Sequence, residues 1–373
     1  MEYSQNSSWG YNNSTESITK TGSDVLTFHQ FVMFEGILNA ARAVISLLGI
    51  FGNTINILTY ISMGNKDGFS LSMTLLSGIE LVHVIVIFMR SVAYGLFIVE
   101  YSTQFVTWFP VEPFGLYLYF GHVARLPYTT VVLTTMFLSF ARCMCVSRPL
   151  QFKSMFTVSK SICVTFLAII ISVGSYIPLP MTMSMELQYD SRINSTRVIF
   201  WVTAGREQVR IITWIARNAT LPVSTQVVIV CCVLHMSKKL QRSLNFRLYP
   251  QGFSQSTKAT VLTRLKTPKL ASDKTKANVL TGKERRVIQQ MVVMCIVVIV
   301  CDLPEILISL ASVLEPTFGF RKALNNIYLA VIGVNHVFQV VNTSINIIIY
   351  WNYSNRYRHN CCLSKLYVLD TGH

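Results

Sequence analysis

The residues of this 373-residue chain that could do chemistry are ionisable side chains set in long apolar runs. Asp302 and Glu305 are three apart and share one helix face, as do His336 and Gln339. With Arg125 and Arg217 they would line a site holding both signs of charge. Such a site suits a peptide with a basic residue or an amino-acid-like molecule. The competing reading pairs Arg125 with Asp302 for structure alone. Glu80, Arg142 and the amides Asn53, Asn342 and Asn346 are further polar groups in apolar surroundings. A buried carboxyl there needs a partner or a proton, whereas amides can simply hold helices together. No nucleophile elbow, phosphate loop or metal-ligand spacing of His, Cys, Asp and Glu is found. The chain is therefore not expected to be an enzyme or to bind a metal.

The elements that must carry these residues follow from composition. Hydrophobic residues make up 51% and charged residues 13% of the chain, against about 25% charge in soluble domains, and mean hydropathy is +0.45. A chain so poor in charge cannot cover its surface in water, so the expectation is an all-α membrane protein. Seven apolar runs are long enough to cross a bilayer, at about 36–62, 70–98, 114–145, 158–181, 209–236, 287–314 and 325–350. They must be helices, because a span has to satisfy its own backbone polar groups. The expected organisation is a polar N-terminal tail over 1–33, a seven-helix membrane domain over 34–352, and a short amphipathic eighth helix with a C-terminal tail over 353–373. No signal peptide is read in the polar tail.

Charge sets the orientation. With the N-terminus outside, the cytoplasmic segments hold 21 Lys and Arg and 4 Asp and Glu, while the rest holds 11 and 13. Lys and Arg favour the cytoplasmic side, so the N-terminus is expected outside, in the plasma membrane. The loop 237–286 carries 13 basic and 2 acidic residues. It reads as flexible and attractive to anionic lipid or a cytoplasmic partner; nucleic acid is not implied. Asn6, Asn12, Asn13 and Asn194 head glycosylation triplets on the outer side. None of the nine cysteines lies outside, so no extracellular disulfide is expected. Cys361 and Cys362, just past the last span, suit S-palmitoylation.

Over about residues 34–362 the chain resembles the rhodopsin-like (class A) G-protein-coupled receptors. The resemblance rests on an ordered series: Gly52-Asn53; Leu76 with Glu80; Arg142 of Ala141-Arg142-Cys143, followed by Ser147-Arg148-Pro149-Leu150; Leu221-Pro222; Cys301-Asp302-Leu303-Pro304; and Asn342, Asn346 and Tyr350. There are departures. Glu80 replaces an Asp, Ala141 an Asp, Asp302 a Trp and Ile347 a Pro, and Tyr117 stands about where the family places a disulfide cysteine. They point to a divergent member, of a peptide or chemosensory branch.

The resemblance implies a receptor that binds an extracellular peptide or small chemosensory molecule and activates a heterotrimeric G protein by outward movement of helix 6. Arg142 and Glu284 would hold spans 3 and 6 together, with Pro304, Asn346 and Tyr350 in the switch. With Ala141 in place of the acid, basal activity is expected. Asn53, Glu80, Asn342 and Asn346 would form a mid-bundle polar network. Val131 and the longer Glu80 side chain argue against sodium there. Span 7 has no Lys, which excludes retinal, so no cofactor is expected; Ala124 stands about where amine receptors place an Asp on span 3, so a biogenic amine is not expected as the ligand. The alternative class is a transporter or channel, whose ion paths also carry intramembrane charge.

Overall fold

The computed structural model describes residues 26–64, 68–147, 157–178, 180–202, 209, 213, 220–248, 282–319 and 322–361. Seven helices have the length and apolarity to cross a membrane: Phe28–Ser62, Gly68–Ser102, Pro113–Cys145, Val158–Tyr176, Leu221–Gln241, Arg285–Leu314 and Asn325–Tyr353, here spans 1 to 7. Span 1 packs on spans 2 and 7, span 2 on spans 3 and 4, span 3 on spans 4 and 5, span 5 on span 6, and span 6 on span 7. The result is a closed bundle of a multi-pass membrane protein.

Helix α1 (Phe28–Ser62) starts eight residues earlier than the apolar pattern suggests. The cause is a capping box, in which Thr27 and Gln30 satisfy each other's backbone N–H groups. Phe31 and Val32 of the first turn then bury against Tyr94, Phe97 and Tyr117. Helix α2 (Gly68–Ser102) forms span 2. Span 3 is two helices, α3 (Pro113–Val123) and α4 (Arg125–Ser147), meeting at Ala124. Pro127 has no N–H to give Val123, and its ring crowds that carbonyl, so the break falls there. Helix α5 (Val158–Tyr176) buries Ser161, Thr165, Ala168, Ser172 and Tyr176, and exposes Ile162, Phe166, Ile169 and Ile170. Small and hydroxyl residues inside with large apolar residues outside suit a lipid solvent.

Between spans 4 and 5 the chain forms an antiparallel hairpin, β1 (Met183–Asp190) and β2 (Ser195–Val202). Its turn ends on Asn194 at φ +50°, a conformation that Asn adopts more readily than most residues. Apolar and polar residues alternate strictly along β1, a period of two that the sequence does carry, whereas β2 ends in a continuous apolar run, Val198–Val202. Helices α6 (Leu221–Leu248) and α7 (Gly282–Leu314) carry spans 5 and 6 beyond the apolar windows; Pro304 lies inside α7. Span 7 divides at Ile345 into α8 (Asn325–Ser344) and α9 (Asn346–Tyr353), with no proline at the break. A six-residue helix, α10 (Asn355–Asn360), follows, its first turn capped by Ser354. The hairpin marks one end of the bundle. Ser62, Ser147 and Tyr353 lie at the far end.

Candidate functional site

In the half of the bundle nearer the hairpin, a small, partly open cavity is lined by Arg125, Tyr128, Thr129 and Val132 of span 3, Leu221 and Pro222 of span 5, Asp302 and Glu305 of span 6, and Gln339 of span 7. Four of the sequence-predicted pocket residues (Arg125, Asp302, Glu305, Gln339) therefore share one wall system. The side chain of the fifth, His336, reaches Gln339, with Nδ1 3.0 Å from Oε1. Gln339 Nε2 donates to Glu305 Oε2 at 2.8 Å, so its Oε1 accepts, and His336 carries its proton on Nδ1. Asn335 Nδ2 donates to the same Glu305 oxygen at 3.4 Å. Arg217 lies outside the described residues.

Asp302 is buried and gripped from two sides. The Tyr128 hydroxyl donates to Oδ1, and Gln226 Nε2 donates to Oδ2 at 2.9 Å. Among the described residues no ion pair joins Arg125 to Asp302, so the expected structural pairing of these two is replaced by neutral donors. Charge-assisted bonds of this kind fix a carboxylate in place without cancelling its charge. Tyr128 and Gln226 were not singled out from the sequence. Both are unremarkable types in an apolar run, and only the fold brings them to the acid.

The four residues expected to meet in mid-bundle fall into three separate contacts. Asn346 donates to Glu80. Asn53 instead donates to the backbone carbonyl of Thr343 at 2.8 Å, and Asn342 reaches the Tyr128 hydroxyl at 3.5 Å, on the cavity side. The break at Ile345 turns Asn342 and Asn346 towards different partners. His83 links the last two of these contacts: its ring lies 5.2 Å from that of Tyr128, and its Nδ1 is 3.1 Å from Thr343 Oγ1. From Thr343 the contacts continue through Asn53 to Asn56, 3.4 Å apart, and on to the Tyr357 hydroxyl, which donates to Asn56 at 2.6 Å. A chain of contacts, passing through the Thr343 backbone carbonyl, thus runs from Asp302 to the far end.

There Tyr60, Tyr350 and Tyr357 pack in a mutual triangle, with ring centroids 5.5 to 5.7 Å apart, alongside Met73, Met291 and Met294. Cys361 is buried in this cluster, so its thiol points into protein rather than to a lipid face. This is at odds with the acylation expected of it, since a buried thiol cannot carry an acyl chain without repacking. Cys362 lies outside the described residues. Arg142 is half-buried with its guanidinium 3.6 Å above the Phe69 ring of span 2. Glu284 lies on α7, but its side chain is outside the described residues.

Two ionic clusters escaped the sequence reading. In the first, buried Glu35 accepts from Arg42 and from the Tyr117 hydroxyl at 2.5 Å, and Arg90 lies 3.9 Å away, donating to Tyr117 at 2.7 Å. Arg42 also bonds the Gly333 carbonyl at 3.0 Å. The cluster ties spans 1, 2, 3 and 7. A Cβ on Gly333 would stand on the Glu35 carboxylate, which is why glycine is needed there. In the second, at the hairpin, Arg197 pairs with Glu100 and Asp190 at 2.7 Å, and Arg192 with Asp190 at 2.8 Å and Glu112 at 3.0 Å. Burial raises the Asp190 carboxyl, but bonds from Arg192 and the charges of both arginines outweigh it and hold Asp190 below the usual range. This network fastens the hairpin to spans 2 and 3. All eight described cysteines are free thiols. Of the expected glycosylation sites, Asn194 is exposed on the hairpin turn, its Oδ1 accepting from Tyr189. Asn6, Asn12 and Asn13 are outside the described residues.

Among the described residues no group of His, Cys, Asp and Glu is arranged to hold a metal. No curated protein matches the chain. The model of a family described as serpentine type 7TM GPCR chemoreceptor Srx matches residues 43–258, more than half of the sequence. Seven spans, a polar cavity reached by spans 3, 5, 6 and 7, and this match together show that the chain belongs to the serpentine-type 7TM GPCR chemoreceptor family Srx.

Proposed function

We propose that the chain is a plasma-membrane chemoreceptor that takes a small extracellular ligand into the Asp302 cavity and activates a heterotrimeric G protein. The hairpin end faces outside, as the Lys and Arg bias of the loops favours. The far end, with Arg142 and the basic loop 237–286, faces the cytosol. The observation that carries this reading is the contact chain from Asp302 through Tyr128, His83, Thr343, Asn53 and Asn56 to Tyr357. A ligand that moves Asp302 moves span 6 relative to spans 3 and 5, because Tyr128 and Gln226 grip the acid from those spans. Outward movement of span 6 about Pro304 would then open the far end, with Asn346 and Tyr350 repacking. A ligand favours this state only by the difference in its affinity for the two arrangements.

Arg142 rests on Phe69 and has Ala141 beside it in place of an acid. The inactive arrangement is thus weakly held, and basal signalling is expected. The test is nucleotide exchange on purified heterotrimers by the full-length receptor in nanodiscs. Exchange above that of empty nanodiscs, lowered by Arg142→Ala, supports the reading. No exchange with any heterotrimer, together with a ligand-gated current in cells lacking G proteins, would transfer the chain to the channel class.

A further inference from the structure

The cavity contains two carboxylates and one guanidinium, so its described lining carries a formal charge of −1. Asp302 and Glu305 stand one helical turn apart, and among the described residues neither forms an ion pair. Both oxygens of Asp302 accept from neutral donors. The two donors reaching Glu305, Gln339 and Asn335, both go to Oε2, so among the described residues no hydrogen bond reaches Oε1 of this half-buried residue, which lines the cavity. Gln226, behind Asp302, keeps a buried Oε1 with no hydrogen-bond partner. The acceptors thus outnumber the donors around these two acids. Two carboxyl groups in such a place call for a compensating positive charge or a proton, and a ligand can supply the charge.

We propose that this cavity recognises a small molecule bearing a protonated nitrogen, whose N–H groups donate to Glu305 Oε1 with Asp302 as the second, preset acceptor. The acid stands on span 6, so Ala124 on span 3 does not bear on this mode. Hydrogen bonds from a cation to a carboxylate are roughly twice as strong as neutral ones, which makes the charge the selective feature. The inference deepens the proposed function by naming the ligand class and rests on the same cavity.

The test is thermal unfolding of the full-length receptor in nanodiscs without G protein. The probes are 2-phenylethylamine and butylamine, the alcohols of the same shape, and the corresponding carboxylic acids. The amines raise the melting temperature in a saturable way; the alcohols and acids do not. In Glu305→Gln the amine concentration for half the shift rises about tenfold or more, as expected for a lost charge-assisted bond. Should Glu305→Gln fail to fold, the comparison of amine with alcohol on the unaltered receptor still decides. Equal shifts by amines and alcohols, a preference for the acids, no amine-dependent shift, or an amine shift unchanged in Glu305→Gln would each overturn the inference. Coupling is read separately: amine shifts without nucleotide exchange would sink the G-protein reading and leave the ligand class standing, and the reverse holds equally.

Discussion

Glu35 is the residue on which the upper bundle turns. It is fully buried and faces two arginines, Arg42 and Arg90. Removing one partner of a buried ionic group leaves the others uncompensated, at a cost of about 3–5 kcal/mol. Glu35→Gln is therefore expected to lose most surface expression in cells. Glu35→Gln combined with Arg42→Met removes both charges of the closest pair and should recover part of it. If the single variant expresses as well as the unaltered receptor, the cluster has no structural role. Tyr117 belongs to the same scale. In the resembled receptors its place is that of a disulfide cysteine; here its hydroxyl links Arg90 to Glu35.

The hairpin is the element whose attachment is decided by charge. Arg197 is fully buried between Glu100 and Asp190, whereas the Arg192 side chain is 26% exposed. Exposed pairs are screened and contribute little, so Arg197 carries the attachment. Arg197→Met should release the hairpin, read as faster amide hydrogen exchange over 183–202, while Arg192→Met changes it little. The pH dependence follows from Asp190. Its folded pKa lies below the ordinary carboxylate value, so its contribution is complete above about 3.9. That contribution is lost as pH falls through the depressed value. The share of hairpin protection due to Asp190 is therefore expected to hold at neutral and mildly acidic pH and to fail only in strong acid. Loss of protection already near pH 6 would contradict this.

At the scale of the whole molecule, the contact chain predicts which substitutions separate folding from signalling. Asn56 links Asn53 to Tyr357 and touches neither the cavity nor the far-end surface. Asn56→Ala is expected to keep amine-dependent thermal stabilisation but lower basal nucleotide exchange about tenfold, since it removes hydrogen bonds to buried partners. Unchanged exchange would show that coupling runs elsewhere. Orientation is checked with epitope tags on intact cells: a tag before residue 26 should be stained without permeabilisation, and one in 251–281 only after it. Staining of both, or neither, on intact cells would refute the proposed topology.

Much of the architecture was already determined by the amino-acid sequence. A bilayer admits only backbones that satisfy themselves, so seven long apolar runs must be seven helices, and their number and approximate limits could be read directly. Asp302, Glu305, His336 and Gln339 could be placed on common faces because helical spacing is fixed. Glu80 and Asn346 fell together as the motif series suggested. Tertiary structure alone decided the rest. The grip of Tyr128 and Gln226 on Asp302, the turn of Asn342 away from Asn53, the burial of Cys361 and the two ionic clusters all join residues from different spans. Periodicity reports which face of one helix is polar. Which neighbouring helix meets that face depends on how breaks such as those at Ala124 and Ile345 rotate it, and a one-dimensional pattern holds no record of that rotation.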